Sequence, residues 1–318
     1  RCSGLPPMSA WFSTRAALFS GDQVTEARRV GEAGADSVSP ATVKFRGAQD
    51  LSLVAHEWNG DIASASAHPS ALMLHGGGQT RHSWRNTGQR LANEGFHVVA
   101  LDTRGHGDSE WSPHGLYAVE ELCHDTVAVV EQINRPLAII GASIGGLTAI
   151  MAAAAAGPEN VTKLGLVDMV PRYEGRGSDR VQEFMLSHLD GFATLQEAAD
   201  AVSAYLPHRT KPRRPDGLRR NLRQRDGRWY WHWDPAFVAG AAHDTRTIDT
   251  LEDAVIGLRI PILLIRGQLS DVVSSESVAD FLHKVPHAKF VELDRAGHTA
   301  AGDDNDAFSD AVVRFVRN

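Results

Sequence analysis

LAIIGASIGG, residues 137–146, puts an apolar run of strand length directly before a serine set between glycines, and that serine opens a helix of small residues. Leu137–Ala142 has the continuous apolar character of a strand buried on both faces of a parallel sheet. Residues 145–156 read as the helix that follows. The match to G-x-S-x-G matters because of this strand-to-helix context, which is where such a serine becomes a nucleophile. Ser143 then sits on a sharp turn, and side chains at 141 or 145 would strike neighbouring backbone. The helix start also aims amide groups and positive potential at any oxyanion formed beside it. The plainer alternative is a glycine turn that only packs a helix against a sheet.

Outward from this turn the pattern is regular. Residues 41–48 and 51–58 alternate apolar and polar residues around Gly47, as an antiparallel hairpin does. Residues 71–75 (ALMLH), 97–102 (HVVALD), 161–170 and 260–266 are buried-strand runs, and residues 289–294 give a last strand. Helical spacing fills 81–94, 116–134, 275–285 and 304–316, and Pro136 and Pro261 stand at strand starts, where a missing donor costs little. Strands alternating with helices imply an α/β protein with a mostly parallel central sheet flanked by helices. Residues 172–257 break the rhythm. They show helical patterns and no convincing buried strand, together with Trp229-Tyr230-Trp231-His232-Trp233. They read as a helical cap or lid inserted between two sheet strands, over the carboxyl ends where α/β sheets bind ligands. The core is then 41–171 plus 258–318.

A serine needs a base. His298, in Gly297-His298-Thr299, follows the last strand at the carboxyl edge of the sheet. Other histidines are less well placed: His75, His97 and His124 lie in or beside regular elements and His106 in a glycine turn, while a pocket role stays open for His208, His232 and His243 in the insertion. The acid that orients the imidazole has two candidates. Asp271 follows strand 260–266 in GQLSD, and Asp168 follows strand 161–167; both satisfy the order nucleophile, acid, base. Asp271 is the expected acid and Asp168 the rival, read as a structural or pocket residue. His75-Gly76-Gly77-Gly78 supplies side-chain-free backbone near the elbow, so the amides of Gly77 and Ile144 are the expected oxyanion hole. DTRGHGDS at 102–109 reads as a structural turn at the sheet edge.

These motifs carry a resemblance. From about residue 41 to its end the chain resembles the α/β-hydrolase family, on HGGG at 75–78, DTRGHGDS at 102–109, GASIGG at 141–146, SD at 270–271 and GH at 297–298. More narrowly it is similar to the cap-bearing group of ester and enol-lactone hydrolases, carbon–carbon bond hydrolases and cofactor-free haloperoxidases. HGGG alone is similar to hormone-sensitive-lipase esterases, but GASIGG is not their GDSAG elbow. Dehalogenases and soluble epoxide hydrolases carry aspartate at the elbow, so Ser143 speaks against both activities. The resemblance implies hydrolysis of a carboxylic ester or lactone through an acyl-enzyme. Carbon–carbon hydrolysis, perhydrolysis or a ligand receptor with vestigial turnover remain alternatives on the same residues.

Composition narrows the partners. The chain has 318 residues, a net charge of −7 and 42% hydrophobic residues, an ordinary globular balance that argues against nucleic acid as the main partner. The charge is uneven: Tyr205 to Tyr230 carries a local +7, which leaves −14 for the remainder. That basic run reads as a solvated face. No apolar run is long enough to cross a membrane. Two cysteines, Cys2 and Cys123, cannot build a disulfide framework, and a reducing, cytoplasmic location is expected. No HExxH, CxxC or dinucleotide fingerprint appears, so neither metal nor cofactor is expected. The partner is expected to be a small, hydrophobic substrate, in a protein whose composition is compatible with a homo-oligomer. Residues 1–40 read as an extension of unassigned role. In it, acid-free residues 1–20 only faintly resemble a transit peptide, and Met8 is a candidate start.

Overall fold

The computed structural model describes residues 39–59, 70–206, 215–240, 245–294, 296–298 and 306–318. Most of the 1–40 extension lies outside them, as do Arg209, Lys211, Arg213 and Arg214 of the basic run and His208 and His243.

The expected hairpin forms from β1 (Ala41–Arg46) and β2 (Ser52–Trp58), with Ala41 opposite Glu57 and Arg46 opposite Ser52. The five buried-strand runs become β3 (Ser70–Leu74), β4 (Val98–Leu101), β5 (Leu137–Ala142), β6 (Val161–Val167) and, after the insertion, β9 (Ile262–Gly267), and the last strand becomes β10 (Lys289–Leu293). Together they make one eight-stranded sheet in the order β1-β2-β4-β3-β5-β6-β9-β10. Only the pairings of β2 with β1 and with β4 are antiparallel. Every residue of β3, β4, β5 and β9 is buried, as two-sided coverage requires.

Helices cover both faces. On one lie α2 (Val119–Ile133) and α3 (Ile144–Ala156), in an apolar layer with Leu72, Leu74, Ile139, Leu147 and Ile150. On the other, α1 (Arg85–Asn93) and the C-terminal α9 (Asp306–Arg317) close over Met73, Val98 and Ile140. There Trp58, Trp84 and Phe308 are fully buried, and Thr87 Oγ1 and Ser309 Oγ share a hydrogen bond across the helix pair. Helix α8 (Ser275–Lys284) links β9 to β10, its first turn capped by Ser274 Oγ, which accepts from Ser277 N–H.

The insertion differs from its sequence reading in two ways. It holds α4 (Gly175–Leu186), α5 (Leu195–Tyr205) and the short α6 (Ala236–Gly240), but also an antiparallel hairpin, β7 (Leu222–Arg225) with β8 (Arg228–Trp231). The hairpin turns at Asp226-Gly227, both with positive φ, the chemistry of a tight turn. Helix α7 (Thr245–Gly257), placed by sequence in the cap, instead belongs to the sheet's own covering layer. Its Leu251 and Val255 are buried in the same apolar cluster as α3 and β6.

One buried ion pair ties the sheet edge to α2. Arg104 grips Asp125 through two parallel bonds, Nε to Oδ2 at 2.6 Å and Nη2 to Oδ1 at 2.8 Å. Both residues are sealed from water, and Asp125 Oδ1 also accepts the amide of Ala48. Removing Asp125 leaves the buried Arg104 only Glu121, 3.5 Å from Nη1, and the Leu116 carbonyl, and breaking such a pair costs about 3–5 kcal/mol. Asp125→Ala is therefore expected to lower the urea midpoint by the equivalent of that loss with an unchanged m-value. A shift below about 1 kcal/mol would show that Arg104 finds another partner.

Candidate active site

Ser143 sits between β5 and α3 with φ 51° and ψ −125°, a strained conformation for a non-glycine residue. Packing forces the strain. A Cβ on Gly141 would lie 2.1 Å from the carbonyl oxygen of Gly145, and one on Gly145 would lie 2.6 Å from the carbonyls of Leu74 and His75. Glycine at both positions lets α3 press against β3 and β5, and the serine is left standing at the carboxyl end of the sheet.

Two loops meet it there. His298 Nδ1 lies 2.7 Å from Asp168 Oδ2, and Nε2 lies 3.0 Å from Ser143 Oγ. An ionised carboxylate only accepts, so Nδ1 carries the proton and Nε2 offers its lone pair to the serine hydroxyl. Asp168 has no exposed surface. It follows β6 directly, in a left-handed conformation, and accepts three more or less convergent donors: Gly267 N–H on Oδ1, and Ser270 Oγ–H and the imidazole on Oδ2.

Asp271 is elsewhere. Its side chain is 40% exposed and its Oδ2 pairs with Arg180 at 3.0 Å. The expectation that it orients His298 is therefore corrected in favour of Asp168. The physical reason is loop length. Asp168 stands one residue past its strand, whereas Asp271 stands four past β9, beyond the turn that points Ser270 inward.

Gly77 and Ile144 both line the cleft beside Ser143. Ile144 opens α3, where the first amides have no intrahelical acceptor. In the 76–78 loop, Gly76 N–H donates to Gln79 Oε1 and Gly78 N–H to His106 Nε2, while Gly77 N–H has no acceptor among the described residues.

The cleft has two lobes that share Gly77, Ser143, Val181, Met185 and His298. One, of about 550 Å³, is walled by Leu147, Met169, Tyr173, Phe237, Val238 and Val272. The other, of about 1250 Å³, is walled by Phe184, Tyr205, Leu218, Trp231 and Trp233, with Arg220 also on its lining. Trp231 and Trp233 stack at 4.8 Å and 11°, so two of the three insertion tryptophans face the cleft. Trp229 instead lies under the Arg219 guanidinium. Among the described residues no helix is long and apolar enough to cross a membrane, and no group of three His, Cys, Asp or Glu is gathered to hold a metal.

Residues 71–304 match the model of the alpha/beta hydrolase fold. The chain belongs to the α/β-hydrolase fold family. It is similar to Esterase Rv0045c of Mycobacterium tuberculosis, 33% identical over 257 residues, covering 78% of this chain and 82% of that protein. A solved structure of that esterase superposes with TM-score 0.71 over 89% of this chain and 94% of its own. It is 26% identical to the 3-hydroxybutyrate-oligomer hydrolase of Cupriavidus necator over 76% of this chain and 85% of that one. An α/β hydrolase from Novosphingobium aromaticivorans, 24% identical, shares the fold with TM-score 0.75 over 89% of this chain and 99% of its own. The family and these relatives make the protein a hydrolase.

Five histidines, His82 of them on the cleft lining, are pushed toward the neutral form. Burial pushes His56 down to about 3 and His82 down to about 4, with the Arg81 guanidinium adding to both. Burial likewise lowers His75, and lowers His106 and His232 well below the ordinary 6.5. The unfolded chain therefore takes up protons first as pH falls, so stability is complete above about 6.5 and lost below it. The thermal midpoint is expected to fall steadily between pH 6.5 and 4, before most carboxylates titrate. A midpoint that stays flat down to pH 4.5 would contradict this burial.

Proposed function

We propose that this hydrolase cleaves carboxylic esters or lactones of bulky, largely apolar substrates through an acyl-enzyme, with Ser143 as nucleophile, His298 as general base and acid, and Asp168 as the orienting carboxylate. The observation that carries the reading is the hydrogen-bonded chain Ser143 Oγ–His298 Nε2/Nδ1–Asp168 Oδ2 at 3.0 and 2.7 Å. The esterase named among its relatives supports the substrate class.

In this reading Ser143 Oγ attacks the carbonyl carbon while His298 Nε2 takes its proton. The carbonyl π electrons move onto oxygen, and the resulting oxyanion accepts from the amides of Gly77 and Ile144. The tetrahedral adduct collapses, the C–O bond to the alcohol breaks, and the imidazolium returns the proton to the departing oxygen. Water, deprotonated by the same Nε2, then repeats the sequence on the acyl-serine and releases the acid. Asp168 keeps the imidazole in the tautomer this requires and stabilises its charged form. The smaller lobe gives one half of an ester an apolar wall, the larger gives the other half a wall of aromatic rings mixed with Gln79, Thr80, His82, Ser83 and Asn221, and the insertion serves as a cap over the reacting atoms.

Hydrolysis of p-nitrophenyl esters tests the roles. Ser143→Ala is expected to lose about a million-fold in turnover in a folded protein. Asp168→Asn is expected to lose about 10⁴-fold through the wrong tautomer, while Asp271→Asn stays within a few-fold of wild type. Substantial turnover in the alanine variant would remove Ser143 from the mechanism. The reverse ranking of the two asparagine variants would return the acid role to Asp271.

A further inference from the structure

Three buried imidazoles outside the Ser143–His298–Asp168 chain converge on the loop that carries Gly77. His75 and His106 have ring centroids 5.1 Å apart, and His106 and His232 5.7 Å apart. All three are fully enclosed, with no more than 1% of their surface exposed. Their bonds fix their tautomers, because a backbone N–H can only donate and a backbone carbonyl can only accept. His75 Nε2 accepts Thr103 N–H at 3.1 Å, so Nδ1–H donates to Gly76 O at 2.8 Å. His106 Nε2 accepts Gly78 N–H at 3.1 Å, so Nδ1–H donates to Arg104 O at 3.2 Å. His232 Nδ1 accepts Gly107 N–H at 2.8 Å, so Nε2–H donates to Gly78 O at 3.3 Å.

These bonds fall one to each successive peptide plane. His75 holds the plane joining Gly76 to Gly77, which contains the Gly77 N–H. His106 holds the next plane through Gly78 N–H, and His232 holds the third through Gly78 O. Gly78 adopts φ 70°, so a rotation there would swing the amides before it. His75 and His106 come from the sheet-edge loops. His232 alone belongs to the insertion, just past β8.

We propose that His232 is a positioning residue for ester cleavage: by clamping the Gly78 carbonyl from the insertion, it fixes the direction of the Gly77 amide, so that seating of the insertion completes the oxyanion site. The proposal rests on the esterase reading given above. The energetic logic is that a donor contributes to the transition state only when it is already aimed at the oxyanion.

Asparagine and glutamine separate the two bonds of His232. Asn places its Oδ1 near the Nδ1 position and can keep the Gly107 bond without reaching Gly78. Gln places its Nε2 near the ring Nε2 and can keep the donor to Gly78 O. His232→Asn is expected to lower kcat about 10- to 100-fold with KM within about twofold, less than the 10²–10³ of deleting an oxyanion donor outright. Its affinity for an aryl boronic acid, a mimic of the tetrahedral adduct, should fall in step with kcat/KM. His232→Gln is expected to keep kcat within about threefold. The proposal is overturned if folded H232N retains wild-type kcat, or if both variants lose activity only in proportion to lost melting temperature. Should H232N not fold, His232→Met, which fills the ring's space without a donor, takes its place: a loss of kcat that H232Q does not share supports the clamp, and wild-type kcat in folded H232M overturns it. Ser143→Ala in the same assay distinguishes the two failures. Activity that survives in S143A sinks the esterase reading, whereas a dead S143A beside a fully active H232N sinks only the role of His232.

Discussion

The contact on which the architecture turns is backbone against backbone, where Gly141 at the end of β5 meets Gly145 in the first turn of α3. No side chain fits at either place. That close approach sets α3 against the sheet, throws Ser143 into positive φ and points the unpaired amides of the helix start at the space in front of the serine. The apolar content of β3, β5 and β6 then follows as a requirement, since a helix held this tightly leaves both sheet faces covered. Strain at the serine is tolerable because the surrounding layers over-determine it. Leu72, Ile139, Leu147 and Ile150 form one buried cluster beneath it.

Much of this was legible in the sequence because strand and helix periods are local properties. The hairpin at 41–58, the buried runs and the elbow all announce themselves within fewer than twenty residues. The acid did not. Asp168 and Asp271 both follow strands at the same sheet edge and both lie between Ser143 and His298 in the chain. Sequence order therefore could not separate them. What separates them is how many residues each loop needs to turn inward. At β9 that turn delivers Ser270, whose hydroxyl donates to Asp168, and it leaves Asp271 outside on Arg180. The distance from strand end to carboxylate was the available signal, one residue against four.

The insertion was the least legible part, for a different reason. Strands β7 and β8 are four residues each, and LRQR buries only Leu222, so neither the length nor the alternation of a core strand is present. The arginines that mask the pattern are partly what holds the hairpin. Arg225 lies over Tyr230 and Arg219 over Trp229, while Arg223 bonds Gly107 O and reaches Asp108. Arg219, Arg220, Arg225 and Arg228 are nonetheless exposed, as a solvated face requires, so such packing as they make on rings and carbonyls is made at the surface.

Arg223 and His232 bring the insertion onto the same 105–108 turn that supports the 76–78 loop, and the choice of imidazole there has a chemical reason. Each peptide group in that region that turns away from the cleft needs a donor for its carbonyl or an acceptor for its amide. A neutral imidazole offers one of each, on a rigid ring, about two ångströms apart. A carboxylate could only accept and would leave the Gly78 carbonyl without the donor that His232 supplies, and an amide side chain places its donor and acceptor at one end. Burial that holds the three rings neutral is thus the condition for their bonding pattern, because a protonated ring would aim an N–H at a backbone N–H. The three-point hold on the loop and part of the expected acid sensitivity of the fold thus have the same origin in these rings.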